Sequence, residues 1–310
     1  MKKMKIIIGV TVLLTMLTAC STEGLEIYND ASIKTSNESK GKTSCKINMD
    51  IDFNTDDLTL EEIRQLNYAK KMIFEITSSY DSSKGKVASD IYLNLGGVGM
   101  DSNYYRNGNE GYVKIPVLNK YIDIDEGKEI VNTKEYGSFF STIEESWLEL
   151  LEEDDVVKGE NTIIDTEEGQ VKATIVTINI NEALLKKYAE KITYILMDSD
   201  IINKIVDVNY DSAHKEKLRE TLTRTLKKIQ FEDFKTLAYI DFDGYLIKEE
   251  ISMRMKMADA NKGEPLAMSI SITNENWDIG KEQNIEIPEI KEQLIKIEEL
   301  KNMDNIFELK

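Results

Sequence analysis

The sequence is poor in the residues on which many catalytic and metal sites depend. Its 310 residues include one histidine, His214, and two cysteines, Cys20 and Cys45. A single histidine excludes histidine-based catalytic triads and multi-histidine metal sites, although pairs of carboxyl groups stay open as catalysts. The sequence also lacks a glycine-rich phosphate loop between a strand and a helix. We therefore expect a protein that is not an enzyme and that holds neither a cofactor nor a metal ion.

Positive charge is scarce as well. The chain has 39 Lys and Arg residues against 57 Asp and Glu residues, a formal net charge of −18. Nucleic-acid binding relies on many contacts from Lys and Arg to phosphate, so we expect no nucleic-acid partner. Adjacent acids such as Glu249 and Glu250 arise by chance in so acidic a chain, and we predict that such pairs are solvated.

Long apolar runs are absent except near the start. Three lysines precede the apolar stretch 6–17, which is too short to span a bilayer, and small residues follow it. The motif Leu17-Thr18-Ala19-Cys20 resembles the lipobox of bacterial lipoproteins. This resemblance implies a signal peptide over residues 1–19, cleavage after Ala19, and a diacylglycerol thioether on Cys20. The alternatives are an ordinary signal peptide with a chance cysteine, or an uncleaved anchor.

Lipidation of Cys20 has consequences for the remainder of the chain. Two or three acyl chains anchor a soluble domain durably, so we expect a cell-membrane protein that faces the extracytoplasmic side. Without the three lysines of the signal segment its net charge is −21. Cys45 is left without a partner for an internal disulfide. Residues 20–42 are polar and show no sustained periodicity, which predicts a lipidated cysteine followed by a flexible tether.

Beyond the tether, apolar and polar residues alternate, as in half-buried strands. In TSCKINMDIDF one face carries Cys45, Ile47, Met49, Ile51 and Phe53. About nine such strands follow one another with short turns, including a hairpin at Asn107-Gly108, and predict an antiparallel meander. Helical spacing of apolar residues predicts helices at 135–153, 181–206 (with Asn181 as N-cap) and 211–230, and a fourth, amphipathic helix over 288–310. The fold class is therefore α+β, with helices on one face of a large antiparallel sheet.

The stretch YIDFDGYLIKEE allows two interpretations. With Gly244 at position 6 of a calcium loop, Asp241 and Asp243 occupy ligand positions, but Tyr239 stands where the first ligand belongs. Asp-Gly is also a strong hairpin signal, and apolar and polar residues alternate on both sides of it. We therefore predict a hairpin and no metal site.

The overall layout resembles the LolA/LppX/LprG-like lipoproteins. The shared features are the lipidated cysteine and tether, the meander with YVKIP followed by KYIDI, a central helical insertion, the DFDG hairpin, methionine-rich strands and a final Ile-Pro. The resemblance covers residues 43–287. It implies a curved half-barrel with helices packed over its concave face, an apolar cavity between them, and a role in carrying or sensing lipids. The predicted helix at 288–310 departs from that layout.

Methionine-rich strands are the best sequence indication of a cavity, because methionine adapts to variable apolar shapes. We predict that the cavity is lined by residues on the apolar strand faces: Met49, Phe74, Leu93, Ile251, Met253, Met255, Met257, Met268 and Ile270. The alternative is that this face packs fully against the helices.

Two classes of function therefore stay open. The first is a membrane-anchored lipoprotein that binds, carries or senses an apolar, lipid-like ligand in the half-barrel. The second is an interaction module of the cell envelope with a fully packed sheet and no ligand. The sequence indicates no oligomeric state.

Because the thioether requires a sulfur atom, we expect Cys20→Ala to abolish acylation and to release the protein or leave it uncleaved. Metabolic labelling with an acyl probe followed by cell fractionation measures both effects. Cys45→Ser is the matched control and should leave labelling and localisation unchanged. Persistent acylation of the Cys20 variant would contradict the prediction.

Overall fold

The structure, a computed structural model, describes residues 22–123, 133–198, 212–258, 260–290 and 294–295. Within these ranges it shows the predicted α+β class, with twelve strands in one sheet and five α-helices. The helices are α1 (Thr22–Ser36), α2 (Leu60–Asn67), α3 (Thr133–Leu148), α4 (Glu182–Asp198) and α5 (Ser212–Lys228). The strands are β1 (Lys40–Phe53), β2 (Lys71–Asp81), β3 (Lys86–Leu95), β4 (Val98–Asn107), β5 (Glu110–Ile115), β6 (Lys120–Asp123), β7 (Val156–Thr166), β8 (Gly169–Ile178), β9 (Ile229–Asp241), β10 (Leu246–Met257), β11 (Pro265–Trp277) and β12 (Leu294–Ile295).

The sheet consists of two antiparallel meanders placed side by side. Its strand order is β12-β6-β5-β4-β3-β2-β1-β11-β10-β9-β8-β7, so β1 of the first meander pairs with β11 of the second. Of the described pairs, β12 with β6 is parallel and the others are antiparallel. The sheet stays open, with β12 and β7 at its edges.

Both hairpins that the sequence predicts from Gly signals are confirmed. Gly108 joins β4 to β5 with a φ of 63°, and Gly244 lies between β9 and β10 with a φ of 78°. At the second turn the Asp241 carboxylate accepts a hydrogen bond from the Tyr245 backbone N–H at 2.8 Å. This side chain closes a turn between two paired strands, in agreement with the hairpin interpretation.

One face of the sheet is apolar over most of its width. Met253 of β10 stands opposite Ile270 of β11, and Ile270 stands opposite Met49 of β1. Phe74 of β2 likewise stands opposite Leu93 of β3. Directly opposed residues of an antiparallel pair project from the same face, so these rows continue one another across the seam between the meanders. Helices α1, α4 and α5 pack on the part of this face that β9 and β10 supply, and α1 also contacts β7.

The predicted tether over residues 20–42 is wrong for its described part, because residues 22–36 form α1 and β1 begins at Lys40. Tyr28 and Ala31 of α1 leave only 3% and 1% of their surfaces exposed. They belong to the main core together with residues of β7, β8, β9 and β10. The buried positions recur at helical spacing, but Tyr28 is the one large side chain among them, and most of the exposed positions are polar, so the composition suggested a tether.

Helix ends and one whole segment also differ from expectation. Helix α3 ends at Leu148 rather than at residue 153, whereas Asn181 caps α4 as predicted, its Oδ1 accepting from the Leu184 N–H at 2.9 Å. Residues 199–206 of the predicted second helix lie outside the described residues.

The predicted helix over 288–310 is wrong where the structure describes it, because residues 288–290 are not helical and Leu294–Ile295 form β12. The other residues of 288–310 lie outside the described ranges.

Burial explains the strand conformation at β12. Ile290 and Ile295 leave 5% and 8% of their surfaces exposed, and β12 extends the sheet beside β6.

Of the helices in the described ranges, none is both long and apolar enough to cross a membrane.

The contact between α1 and β7 can be tested by a substitution at Gly24. A Cβ atom added at Gly24 would lie 2.4 Å from the backbone oxygen of Val156. We therefore expect Gly24→Ala to lower the free energy of unfolding by about 1–3 kcal/mol, although alanine is favoured over glycine in helices by about 1 kcal/mol. Urea unfolding measures the change.

The matched control is Glu26→Ala, an exposed position on the same helix, which should leave the stability within about 0.5 kcal/mol of the parent. If Gly24→Ala is as stable as the parent or more stable, α1 is not docked on β7 as described.

Candidate functional site

A cavity of about 920 Å³ lies between the helices and the apolar face of the sheet. Helices α1, α3, α4 and α5 form one wall, and strands β9, β10 and β11 form most of the other. Binding pockets for small molecules measure about 300–1,000 Å³, so this cavity lies at the upper end of that range. Its lining is mostly apolar and includes five aromatic side chains within these elements: Tyr28, Trp147, Tyr188, Phe231 and Phe234.

Three of the nine predicted cavity residues line this space. Ile251, Met253 and Met255 project from successive inward positions of β10. Ile272 of β11, directly opposite Ile251, joins them. The alternation of β10 therefore identified the cavity floor at these three positions.

The other six predicted residues do not line the cavity. They lie on the same apolar face but farther along the sheet or at the end of β10: Met49, Phe74, Leu93, Met257, Met268 and Ile270. Each is half-buried. For Met49, Phe74 and Leu93 the physical reason is that the helices pack mainly on β7, β9 and β10 rather than on the first meander. Met257, Met268 and Ile270 belong to the second meander, where Met268 and Ile270 stand opposite Met255 and Met253 but lie outside the cavity lining. On β4 this face is more open, and Met100 leaves 56% of its surface exposed.

A polar cluster stands among the apolar walls. The Tyr28 hydroxyl of α1 donates to Oε1 of Glu249 on β10 at 2.8 Å, and the Trp147 indole N–H donates to the Tyr28 oxygen at 3.3 Å. One turn farther along α1, the Ser32 hydroxyl donates to Oε1 of Glu144 on α3 at 2.6 Å. Helix α1 thus positions two carboxyl groups that both line the cavity.

The surroundings of Glu249 make its carboxyl group unusual. Burial raises its pKa, the Glu144 carboxylate raises it further, and the hydrogen bonds from Tyr28 and Asn274 partly oppose the shift. Glu249 keeps some accessible surface because it faces the cavity, although protein surrounds it. Burial and the nearby Glu249 likewise raise the pKa of Tyr188 to about 12, so Tyr188 is a neutral phenol at physiological pH. Because its pKa is raised, Glu249 stays protonated to a higher pH than a solvated carboxyl group does.

Three aromatic rings meet beside this cluster. The Trp147 and Tyr188 ring centroids are 5.0 Å apart with their planes at 63°, and those of Trp147 and Phe234 are 6.2 Å apart with their planes at 54°. Such tilted arrangements are favourable for aromatic pairs and hold the rings in fixed orientations. The site therefore combines an apolar floor, an aromatic corner and two carboxyl groups.

Glu249 is a site residue that the sequence did not predict, since Glu249 and Glu250 were expected to form a solvated acidic pair. The structure shows this to be wrong, because Glu249 lines the cavity whereas Glu250 projects from the other face of β10. The signal was present in the sequence. Glu249 has the same strand parity as Ile251, Met253 and Met255, which places an acid on an apolar face. Its partners on α1 and α3 gave no comparable signal.

Comparisons with known proteins identify distant likenesses to solved structures. No family model and no curated protein matches the chain. Among solved structures, the ywiB protein from Bacillus subtilis shows 10% identity and a TM-score of 0.16, with 77% of this chain and 93% of that chain covered.

A second solved structure is described as a beta-barrel-like protein of the domain of unknown function DUF1849 from Brucella abortus. It shows 10% identity and a TM-score of 0.21, with 78% of this chain and 100% of that chain covered. At these TM-scores neither likeness supports an argument about this chain. The resemblance to the LolA/LppX/LprG-like group therefore stays a prediction.

The raised pKa of Glu249 predicts how Glu249→Gln changes stability with pH. A carboxyl group whose pKa is raised on folding contributes stability below its unfolded value of 4.5 and loses it as the pH rises through the folded value. Glutamine lacks this titration. We therefore expect the variant to gain stability relative to the parent as the pH rises from about 4.5 to about 8, as measured by urea unfolding.

Glu250→Gln is the matched control, because Glu250 lies on the opposite face of the same strand and pairs with Lys248 at 3.2 Å. Its loss should cost no more than about 1 kcal/mol. A stability difference between parent and Glu249→Gln that stays constant over this pH range would show that Glu249 behaves as a solvated carboxyl group.

Proposed function

We propose that this protein is a membrane-anchored extracytoplasmic lipoprotein that binds an apolar, lipid-like ligand in the cavity and carries or senses it. The observation that carries the proposal is the cavity of about 920 Å³ on the apolar face of the sheet. A fully packed sheet, as the alternative interaction module requires, leaves no such space. The size and lining suit a ligand with a long apolar part and a small polar end.

The side chains at the cavity floor support a ligand of variable shape. Met253 and Met255 are unbranched and flexible, and they lie beside the branched side chains of Ile251 and Ile272. Methionine fills irregular spaces and tolerates different apolar partners at little cost. A floor of this kind favours recognition of alkyl chains by apolar contact rather than by a fixed set of hydrogen bonds.

The position of α1 connects the proposed anchor with the cavity. Helix α1 begins at Thr22, two residues after Cys20, and contributes Tyr28, Ser32 and Thr35 to the cavity wall. Its 15 residues extend about 22 Å at about 1.5 Å per residue. Acylation of Cys20 would therefore hold the cavity within about one helix length of the membrane surface, without a long tether between them.

The end of α1 is fixed to the sheet by several contacts. The Thr35 hydroxyl accepts a hydrogen bond from the Leu246 N–H at 2.8 Å, and the Tyr245 hydroxyl donates to Glu38 at 2.7 Å. The Lys34 ammonium stands 4.1 Å from the centroid of the Tyr245 ring. These contacts support a cavity wall that is held in place rather than one formed by a loose segment.

Cavity filling tests the proposal. In residues 20–310 carrying Cys20→Ser, the neutral dye N-phenyl-1-naphthylamine should bind saturably, as measured by its fluorescence. Met255→Trp should weaken this binding at least about tenfold, a change of about 1.4 kcal/mol. If Met255 instead lies in a packed core, the larger ring should lower stability by about 1–3 kcal/mol.

Ser252→Trp is the matched control, because it places the same ring on the exposed opposite face of β10. It should retain the dye affinity within about twofold. Absence of saturable binding by the parent, or equal loss in both tryptophan variants, would contradict the proposed function.

A further inference from the structure

The charged groups of the cavity all have one sign. Among its described lining residues, Glu38, Glu144 and Glu249 are acidic, and none is a lysine, an arginine or the histidine. Several acids outside the cavity have cationic neighbours; Glu275, for example, lies 3.0 Å from the Lys248 ammonium. Among the described lining residues, the polar end of a ligand therefore meets carboxyl, hydroxyl and amide groups but no fixed positive charge.

The aromatic corner is a second, independent feature of the same wall. Trp147, Tyr188 and Phe234 all line the cavity, and their rings are tilted by more than 50° within each contacting pair. The face of an aromatic ring carries negative charge density and attracts ammonium groups within about 6 Å of its centre. The corner therefore favours the same sign of ligand charge as the carboxyl groups do.

The two inner carboxyl groups retain capacity to bind a donor. An ionised carboxylate offers about four acceptor positions, and Oε1 of Glu144 receives the Ser32 hydroxyl while Oε1 of Glu249 receives that of Tyr28. An ammonium group supplies both further N–H donors and the opposite charge. A ligand carboxylate or phosphate would face these acids in a medium of low dielectric constant, where repulsion is strong.

We propose that the cavity selects an amphiphile with an alkyl chain and an ammonium head, which lies against Glu249, Glu144 and the aromatic corner. This inference rests on the proposed function, because it requires that the cavity hold an apolar ligand. The apolar floor of β10 takes the alkyl chain, and the cluster that α1 organises takes the head. The shared chemistry is the ammonium group, whether it belongs to a free alkylamine or to a zwitterionic membrane lipid.

Titration of the site follows from the same arrangement. Glu249 faces Tyr28 of α1, Glu144 of α3 and Tyr188 of α4, and Asn274 lies beside it on β11. A bound ammonium group stabilises the ionised form of Glu249, so binding at mildly acidic pH should release a proton. Buffers of different ionisation enthalpy should then give different apparent binding enthalpies in calorimetry.

The test compares four probes with the same chain: dodecyltrimethylammonium, dodecylphosphocholine, dodecanol and dodecanoate. Calorimetric titration of residues 20–310 with Cys20→Ser uses each probe below its micelle concentration or, for dodecanol, below its solubility limit. We expect the trimethylammonium probe to bind at least about tenfold more tightly than dodecanoate, with dodecanol between them. If dodecylphosphocholine binds with the same affinity as the trimethylammonium probe, the ammonium group of the natural ligand comes from a membrane lipid. If it binds more weakly, the natural ligand is a free amine.

Variants separate the local effect from the net negative charge of the protein. Glu249→Gln and Glu144→Gln should each reduce the ammonium-to-dodecanol affinity ratio by at least about threefold, whereas Glu250→Gln should leave it unchanged. Circular dichroism melting confirms that each variant is folded. Dodecanol has the same alkyl chain but no charge, so its affinity measures the contribution of the chain. A lower affinity ratio in Glu249→Gln or Glu144→Gln therefore reports on the contact between the ammonium head and that carboxyl group.

The possible failures are distinguishable. If no dodecyl probe binds, the proposed function fails together with this inference. If dodecanoate binds as tightly as the trimethylammonium probe, the cavity function stands and the ammonium selectivity is wrong. An equal loss of selectivity in Glu250→Gln and Glu249→Gln would also overturn the inference, because it would assign the preference to net charge.

Discussion

The pairing of β1 with β11 is the interaction on which the rest of the structure depends. It joins the two meanders over most of the length of both strands, from Lys42 opposite Trp277 to Asp52 opposite Ala267. The pairing keeps the apolar rows in register, and a shift by one residue would turn every apolar side chain of one meander to the polar face. The helices lie over the second meander, so the apolar face continues beyond them. The cavity lies beneath the covered part of this face.

Helix α1 brings hydrogen-bonding side chains to that apolar face. It buries Tyr28 and Ala31 against β7, β8 and β9, and the same Tyr28 carries its hydroxyl to Glu249. An acid on an apolar sheet face is costly without hydrogen-bond partners. Partners on α1 and β11 reduce that cost, while the raised pKa of Glu249 shows that it is not removed. The site thus retains a preference for a group of opposite charge or for a proton.

Much of the sheet could be predicted from the sequence, and much of the site could not. Alternation and turn signals predicted an antiparallel meander of about nine strands that includes β1 and the β4–β5 hairpin, because one face of such strands is apolar and the other is wet. They missed β7, whose side chains are mostly exposed, and α2, although Thr59 and Glu62 form a capping box that marks its start. The parity of Glu249 was visible, but its partner Tyr28 is 221 residues away in sequence. Contacts at such separation depend on the β1–β11 seam and on the docking of α1, which local patterns do not encode.

The central claim is that an apolar ligand occupies the space between the helices and β10. The most direct measurement is a crystal structure of residues 20–310 with Cys20→Ser, grown with a dodecanol that carries bromine at its terminal carbon. We expect an anomalous bromine peak inside the cavity beside Met253 or Met255, with the alcohol end directed toward Glu249. A cavity filled by repacked protein side chains, with bromine found only on the outer surface, would contradict it.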